Sequence, residues 1–251
     1  MINPHVHVPY HRIEDYLNFI KAYQINLEIY FQSDSLDEIK ASDIVRLKEN
    51  LDYNPSITIH APFMDLSPGA VDSKVKKITS ERFLQIFDIA EIMEPEAIVF
   101  HSGYEKWKYG QRIDIWLENS LITWKPLVSR AMEMGLKMAV ENIFEDDPAN
   151  LRLLMENMGS ESFGICFDTG HFNLFSRIPL DEWLRQLKPY IMELHLHDNN
   201  RTSDDHLAIG EGTFDFDTLF LSLKDKNLIY TIEGHTKEDV VKSMEMLEKY
   251  L

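Results

Sequence analysis

An apolar, strand-like run ends in imidazole and carboxylate groups at Ile191-Met192-Glu193-Leu194-His195-Leu196-His197-Asp198. Both groups present lone pairs that a divalent metal ion binds. The arrangement recurs, because other short apolar runs end in potential ligands at His60, His101, Glu141, Asp168 and Glu233. This repetition indicates one site that is assembled from the ends of many strands.

Short apolar runs alternate with longer segments of helical period along the whole chain. Strands are predicted near residues 4–8, 25–31, 56–60, 97–101, 136–141, 163–168, 191–196 and 228–233. Helices are predicted near 11–22, 35–49, 73–93, 112–134, 148–158, 180–188, 215–226 and 236–250. Ser35, Asp147 with Pro148, and Pro179 mark helix starts. Eight strands that each precede a helix, without a linker, predict a single-domain α/β protein, a (β/α)8 TIM barrel over residues 1–251.

A doubly wound open sheet shares this alternation and is the alternative fold. However, no glycine-rich phosphate-binding fingerprint follows the first strand, which disfavours a dinucleotide-binding version. In a barrel the carboxyl ends of all strands lie on one face. We therefore expect the strand-end ligands to converge there.

Composition limits the partners of the chain. The 251 residues carry 42 acidic and 25 basic side chains, a formal charge of −17, which disfavours nucleic acid and anionic membranes. No apolar run approaches the ~20 residues that span a bilayer, and no secretory signal is recognisable at the N-terminus, so a cytoplasmic location is expected. The single cysteine, Cys166, excludes an internal disulfide or a thiolate cluster and is expected in the core.

A few residues outside these strand ends invite interpretation. His5 and His7 alternate on the first strand and are expected to be structural. Glu28 is a charge within an apolar strand and is expected to point into the barrel mouth. Trp107, in an aromatic loop with Tyr104 and Tyr109, forms either an apolar wall over a substrate or ordinary loop packing.

The combined motifs resemble the xylose-isomerase-like TIM-barrel superfamily, over essentially the whole chain. The segments that carry the resemblance are His60-Ala61-Pro62, Val99-Phe100-His101, Val140-Glu141-Asn142, Asp168-Thr169-Gly170-His171, His195-Leu196-His197-Asp198 and Ile209-Gly210-Glu211-Gly212. This group holds sugar-phosphate isomerases and epimerases as well as DNA repair enzymes of the endonuclease IV type.

The resemblance implies one divalent ion, Mn²⁺ or Zn²⁺, per chain. Its ligands would be Glu141, Asp168, His195 and Glu233. Glu141 and Glu233 would also be the catalytic pair that moves a proton through an enediolate intermediate held by the metal. His171 and Arg201 would orient or bind oxygens of a small carbohydrate-like substrate. Trp107 is predicted to contact the substrate on the separate ground of its aromatic loop. The oligomeric state stays open, and a homodimer is the commonest soluble oligomer.

The endonuclease IV resemblance implies a different site, with up to three Zn²⁺ ions for phosphodiester hydrolysis. Its ligands would be His60, His101, Glu141, Asp168, His171, His195, Asp204, His206 and Glu233. The acidic charge and loops poor in lysine and arginine disfavour DNA as the substrate. A third hypothesis is a metal-dependent metabolite binder without turnover, which would not need both glutamates.

Overall fold

The computed structural model describes residues 3–251 and shows eight parallel strands that close into a barrel in chain order. The strands are β1 His5–Pro9, β2 Asn26–Tyr30, β3 Ile57–His60, β4 Ala97–His101, β5 Lys137–Glu141, β6 Phe163–Asp168, β7 Ile191–Leu196 and β8 Ile229–Ile232. This confirms the predicted (β/α)8 fold.

Helices connect the strands and form the outer layer. They are α1 Ile13–Tyr23, α2 Ser33–Glu38, α3 Ala41–Asn50, α4 Ser73–Met93, α5 Ile113–Met134, α6 Ala149–Met158, α7 Thr169–Phe175, α8 Leu180–Leu187, α9 Phe216–Leu223 and α10 Lys237–Tyr250. A short 3-10 turn, Tyr10–Arg12, precedes α1. Among the described residues, no helix is both long and apolar enough to cross a membrane.

Two local predictions were wrong. The segment predicted as one helix over 35–49 is two helices, because Ile39 and Lys40 have extended backbones; α2 begins at Ser33, so Ser35 does not start it. α7 follows Asp168 directly, and the Asp168 carboxylate caps this helix by accepting a hydrogen bond from the His171 amide at 2.6 Å.

The main hydrophobic core lies between the barrel and the helices. Trp124 and Trp183 are fully buried there. A second, small apolar cluster lies inside the barrel and consists of Val99, Ala139 and Cys166, which confirms that Cys166 is a core residue. The rest of the inner filling includes fully buried polar side chains, namely Glu28, Thr58, Glu193 and Thr231. Polar groups at this depth need partners, since an unpaired buried charge is costly.

Candidate metal centre

The predicted ligands of the core metal site come together at the carboxyl end of the barrel. Three carboxylates converge on the Nδ1 atom of His195: Glu233 Oε1 lies at 3.0 Å, Glu141 Oε2 at 3.6 Å and Asp168 Oδ2 at 3.9 Å. His195 and Asp168 are fully buried, and Glu141 is 1% exposed. Strands β5, β6 and β7 and the residue after β8 therefore each deliver one group to a common point.

The free nitrogen of His195 fits a metal ligand. Its Nδ1 atom is buried and has no hydrogen-bond partner, although the Glu233 oxygen is close. Its Nε2 atom instead donates a hydrogen bond to Glu28 at 3.2 Å. Metal-bound histidines commonly donate their second ring N–H to a carboxylate in this way, which fixes the tautomer and the ring orientation. Glu28 thus lies beneath the site as an orienting group rather than at the barrel mouth.

Removing the charge of Glu28 tests this orienting role. Glu28→Gln is expected to weaken Zn²⁺ or Mn²⁺ binding ~10–100-fold, because His195 loses its anionic partner, while the metal-free protein keeps its melting temperature. Isothermal titration calorimetry with the metal alone gives the affinity. Glu96→Gln is the matched control, since Glu96 accepts a hydrogen bond from Ser56 at the opposite end of the barrel. Equal metal affinity in wild type and Glu28→Gln would contradict the role.

Histidines from other strands surround Glu141. Its Oε2 atom lies 3.1 Å from His60 Nε2 and 3.3 Å from His101 Nε2, and its Oε1 atom lies 2.9 Å from His171 Nδ1. Two ligands about 2.1 Å from one ion are separated by roughly 3.0 Å in octahedral geometry and 3.4 Å in tetrahedral geometry. The His171 Nδ1 atom also lacks a hydrogen bond. These spacings suit a shared cation and suit hydrogen bonds equally, and the structure has a hydrogen bond between His60 Nε2 and Glu141 Oε2.

The loop after β7 brings in the remaining predicted residues. Asp204 Oδ2 lies 3.5 Å from His171 Nε2 and 3.3 Å from His206 Nε2. His206 Nδ1 lies 3.5 Å from Glu233 Oε2. All nine residues of the predicted larger site therefore belong to one continuous cluster. Groups of three within it approach closely enough to hold an ion, among them His60, His101 and Glu141.

Two residues of the cluster were missed as site residues by the sequence analysis. His197 is fully buried, its Nε2 atom is 3.0 Å from Asp168 Oδ2, and its ring stacks on His206 at 3.9 Å. His7, expected to be structural, contacts Glu28 at 2.9 Å and Glu233 at 3.2 Å. His197 directly follows β7, and the signal for it was its spacing of two from His195, which places both side chains on the same face of an extended chain.

Several residues of the sequence motifs do not reach the candidate metal centre but hold the backbone around it in place. The Asn142 amide brackets Asp168, donating to its carbonyl at 3.0 Å and accepting from its amide at 2.9 Å. Asp198 accepts hydrogen bonds from the amides of Gly212 and Phe214 and so fixes the following loop. Gly170 has to be glycine, because a Cβ atom there would lie 2.0 Å from the His197 ring.

The predicted substrate contacts lie at the rim. Arg201 is exposed, and its Nε atom donates to Asn173 Oδ1 at 3.0 Å. Trp107 is 77% exposed in the loop after β4, whereas its neighbours Tyr104 and Tyr109 are buried and stacked on each other. The roles of Arg201 and Trp107 stay predictions.

The concentration of carboxylates changes the protonation of the histidines. Burial opposes charge on His171 and His195, yet the surrounding carboxylates, together with Cys166 beside His195, outweigh it and raise the pKa of both well above the usual value. Burial likewise opposes ionisation of Glu141 and Glu233, but the histidines lower the pKa of both. In the metal-free protein, protons therefore supply the positive charge that a bound cation would supply.

Metal binding is consequently expected to release protons. Below their raised pKa values His171 and His195 carry a proton in the metal-free protein, and ligation requires the neutral ring. Adding Zn²⁺ at pH 7 in weak buffer should release at least one proton per bound ion, and the release should shrink as the pH rises through those pKa values. An indicator dye measures it, with His195→Ala as the control. Release that grows with pH would contradict the assignment.

Comparison with known proteins places this geometry in a family. Residues 24–250 match the model described as a xylose isomerase-like TIM barrel. A protein of Methanocaldococcus jannaschii with uncharacterized function is 32% identical over 209 residues, which cover 79% of this chain and 71% of that protein.

Two solved structures also resemble the chain. One is a D-tagatose 3-epimerase-like protein with 29% identity and a TM-score of 0.77, covering 92% of this chain and 90% of its own. The other, a Thermus thermophilus protein soaked with ZnCl2, has 26% identity and a TM-score of 0.83, and the match covers 99% and 98% of the two chains. The chain belongs to the xylose isomerase-like TIM-barrel family.

Proposed function

We propose that the protein is a divalent-metal-dependent isomerase or epimerase of a small sugar or sugar-like hydroxy-ketone. The observation that carries the proposal is the convergence of Glu141, Asp168 and Glu233 within 4 Å of the unpaired Nδ1 atom of His195. The similarity to a D-tagatose 3-epimerase-like protein supports the same reaction class. Mn²⁺ and Zn²⁺ both suit a mixed carboxylate and imidazole site.

Glu141 and Glu233 are proposed to transfer the proton. Both carboxylates have a lowered pKa, because the adjacent histidines outweigh the effect of burial, and are therefore ionised and able to accept a proton. They extend from β5 and from the end of β8, so they approach His195 from different strands. When bound, the cation would polarise a substrate carbonyl and make the neighbouring C–H group more acidic.

Neighbouring residues support this pair. His7 lies between Glu28 and Glu233 and holds the Glu233 carboxylate in place; burial opposes its charge, but Glu233 and Glu28 raise the pKa of His7 to about 10. A protonated His7 keeps Glu233 ionised. Arg201 and His171 are proposed to bind substrate oxygens at the open side of the cluster.

A second candidate function is phosphoester hydrolysis by a site with up to three Zn²⁺ ions. It is favoured by one observation, the additional ligand groups His60–His101–Glu141 and Asp168–His171–His197. Two cations in the loop after β4 are already paired with carboxylates, which makes them less available to DNA phosphates. Lys106 contacts Asp146 at 2.7 Å, and the Arg112 Nε atom donates to Asp114 at 2.8 Å.

Exchange of a substrate proton with solvent tests the proposal. The protein loaded with Mn²⁺ or Zn²⁺ is incubated with a panel of ketohexoses and inososes in D2O, and ¹H NMR follows deuterium incorporation beside the carbonyl. Abasic DNA and simple phosphoesters are assayed in parallel. Metal-dependent deuteration of at least one ketose is expected. Phosphoester cleavage without any deuteration would replace the first function by the second.

A further inference from the structure

The candidate metal centre continues into an apolar cavity. Neighbouring helices such as α3 and α4 or α5 and α6 pack directly, but between α1 and α10 the chain leaves a cavity of about 270 Å³. We name it the α1–α10 slot. Its apolar walls are Val6, Val8, Phe19, Ile20, Ile25 and Val240.

The slot opens onto the ligand cluster. His7, Glu233 and His206 line it as well, and these three side chains also face the candidate metal centre. The slot and the candidate metal centre therefore share these three side chains. Its volume approaches the lower end of the ~300–1,000 Å³ range of ligand pockets, whereas most voids in protein cores are smaller than a few water molecules.

The chemistry of the walls limits what can enter. The wall residues Val6, Val8, Ile20, Ile25 and Val240 carry no polar side-chain atom, so this part of the lining offers a ligand no side-chain hydrogen bond. A sugar hydroxyl placed there would lose its hydrogen bonds to water without replacement, which is unfavourable. An aliphatic or aromatic group would instead gain from leaving water.

Two basic residues, Arg12 and Lys237, lie at the mouth of the slot, although the chain as a whole has a formal charge of −17. The Lys237 ammonium lies over the rings of Tyr16 and Phe19, at 5.1 and 5.7 Å from their centroids. Arg12 donates to the Tyr16 hydroxyl at 2.8 Å. Their stems extend the apolar wall while their charged ends stay at the entrance.

We propose that the substrate is a sugar-like molecule that carries an apolar substituent, aryl or alkyl, and that this substituent occupies the α1–α10 slot while the hydroxylated part lies at the metal centre. The position of the hydroxylated part rests on the proposed function. The binding of an apolar group in the slot is independent of the proposed function. Val240, Ile20 and Phe19 then determine specificity through the size of the group that they admit.

The test uses 4-fluorobenzyl alcohol, a small aromatic probe observed by ¹⁹F NMR in the presence of the whole protein. The probe signal is expected to broaden with wild type. Val240→Trp fills the slot and should weaken binding at least tenfold, while Ile122→Trp, at a position 63% exposed on α5, should leave it unchanged. No broadening with wild type, or equal binding by folded Val240→Trp, would overturn the proposal.

A second measurement on wild type covers the case in which Val240→Trp does not fold. Paramagnetic Mn²⁺, with its occupancy determined by electron paramagnetic resonance, should broaden the bound probe more than Mg²⁺ does, because the slot adjoins the centre. Equal line widths at full Mn²⁺ occupancy would overturn the proposed continuity. Binding of the probe does not require turnover, so it can be observed even if no ketose is deuterated. The two experiments therefore test the slot and the proposed function separately.

Discussion

Glu233→Gln and Glu141→Gln are each expected to lower kcat for the deuteration of a ketose substrate by about 10²–10⁴-fold at saturating metal. Glutamine keeps the size of the side chain and one oxygen donor, so the ion can still bind, but it cannot accept the substrate proton. Both carboxylates are ionised and lie within 4 Å of His195 Nδ1. The rate of deuterium incorporation in D2O, measured with the metal content of each variant, checks the prediction.

Glu211→Gln is the matched control for this pair. Glu211 is an exposed glutamate of the loop after β7, and it is paired with Lys242 at 2.7 Å instead of with the ligand cluster. The control should keep wild-type kcat. If either glutamine variant with full metal occupancy retained kcat within tenfold of wild type, that glutamate would not transfer the proton.

Removal of the metal is expected to lower the melting temperature by about 8–16 °C. An ion present at 1,000 times its Kd stabilises a protein by about 4 kcal/mol, and each kcal/mol shifts the melting temperature by about 2–4 °C at this chain length. The physical reason is the burial of Glu141, Asp168 and Glu233 around one point, where repulsion is relieved by a cation. Differential scanning fluorimetry with EDTA, followed by addition of Mn²⁺ or Zn²⁺, measures the shift.

The matched variant for this experiment is Asp168→Asn with His195→Ala, which removes two ligands and leaves the histidines around Glu141 in place. Its melting temperature should no longer respond to EDTA. A wild-type melting temperature that changes by less than about 2 °C between EDTA and saturating metal would contradict metal binding by this cluster.

The convergence of the site could be predicted from sequence because barrel topology supplies the missing geometry. Once eight parallel strands close in chain order, the residues at their carboxyl ends, such as Glu141 and His195, all lie at the same face of the barrel. The start of α8 after Pro179 could also be predicted from sequence, because a proline is followed by two acidic residues in the first turn.

Other features depend on contacts between distant segments. His7 meets Glu28 and Glu233 only because β1 pairs with both β2 and β8. α7, the helix after Asp168, contains Gly170, and glycine is a poor helix former. Glycine is needed at this position because the His197 ring leaves no room for a Cβ atom. The break between α2 and α3 contains neither glycine nor proline, and the Lys40 amide donates to the Asp43 side chain to start the second helix.

The α1–α10 slot was beyond sequence reasoning for a different reason. Val6, Ile20 and Val240 are ordinary core residues by type and spacing, and only the separation of α1 from α10 turns them into the walls of a cavity. The exposure of Trp107 could not be predicted from sequence either. Tyr104 and Tyr109 belong to the same short aromatic loop, and yet they are buried.

The number of metal ions per chain distinguishes a single-ion centre from a multinuclear one. Elemental mass spectrometry on protein purified without a histidine tag is expected to find about one divalent ion per chain in wild type, none in Asp168→Asn with His195→Ala, and an unchanged amount in His60→Ala and His101→Ala. Two or three Zn²⁺ ions per chain, lost stepwise on substitution of His60, His101 or His206, would contradict the single-metal account and favour phosphoester hydrolysis.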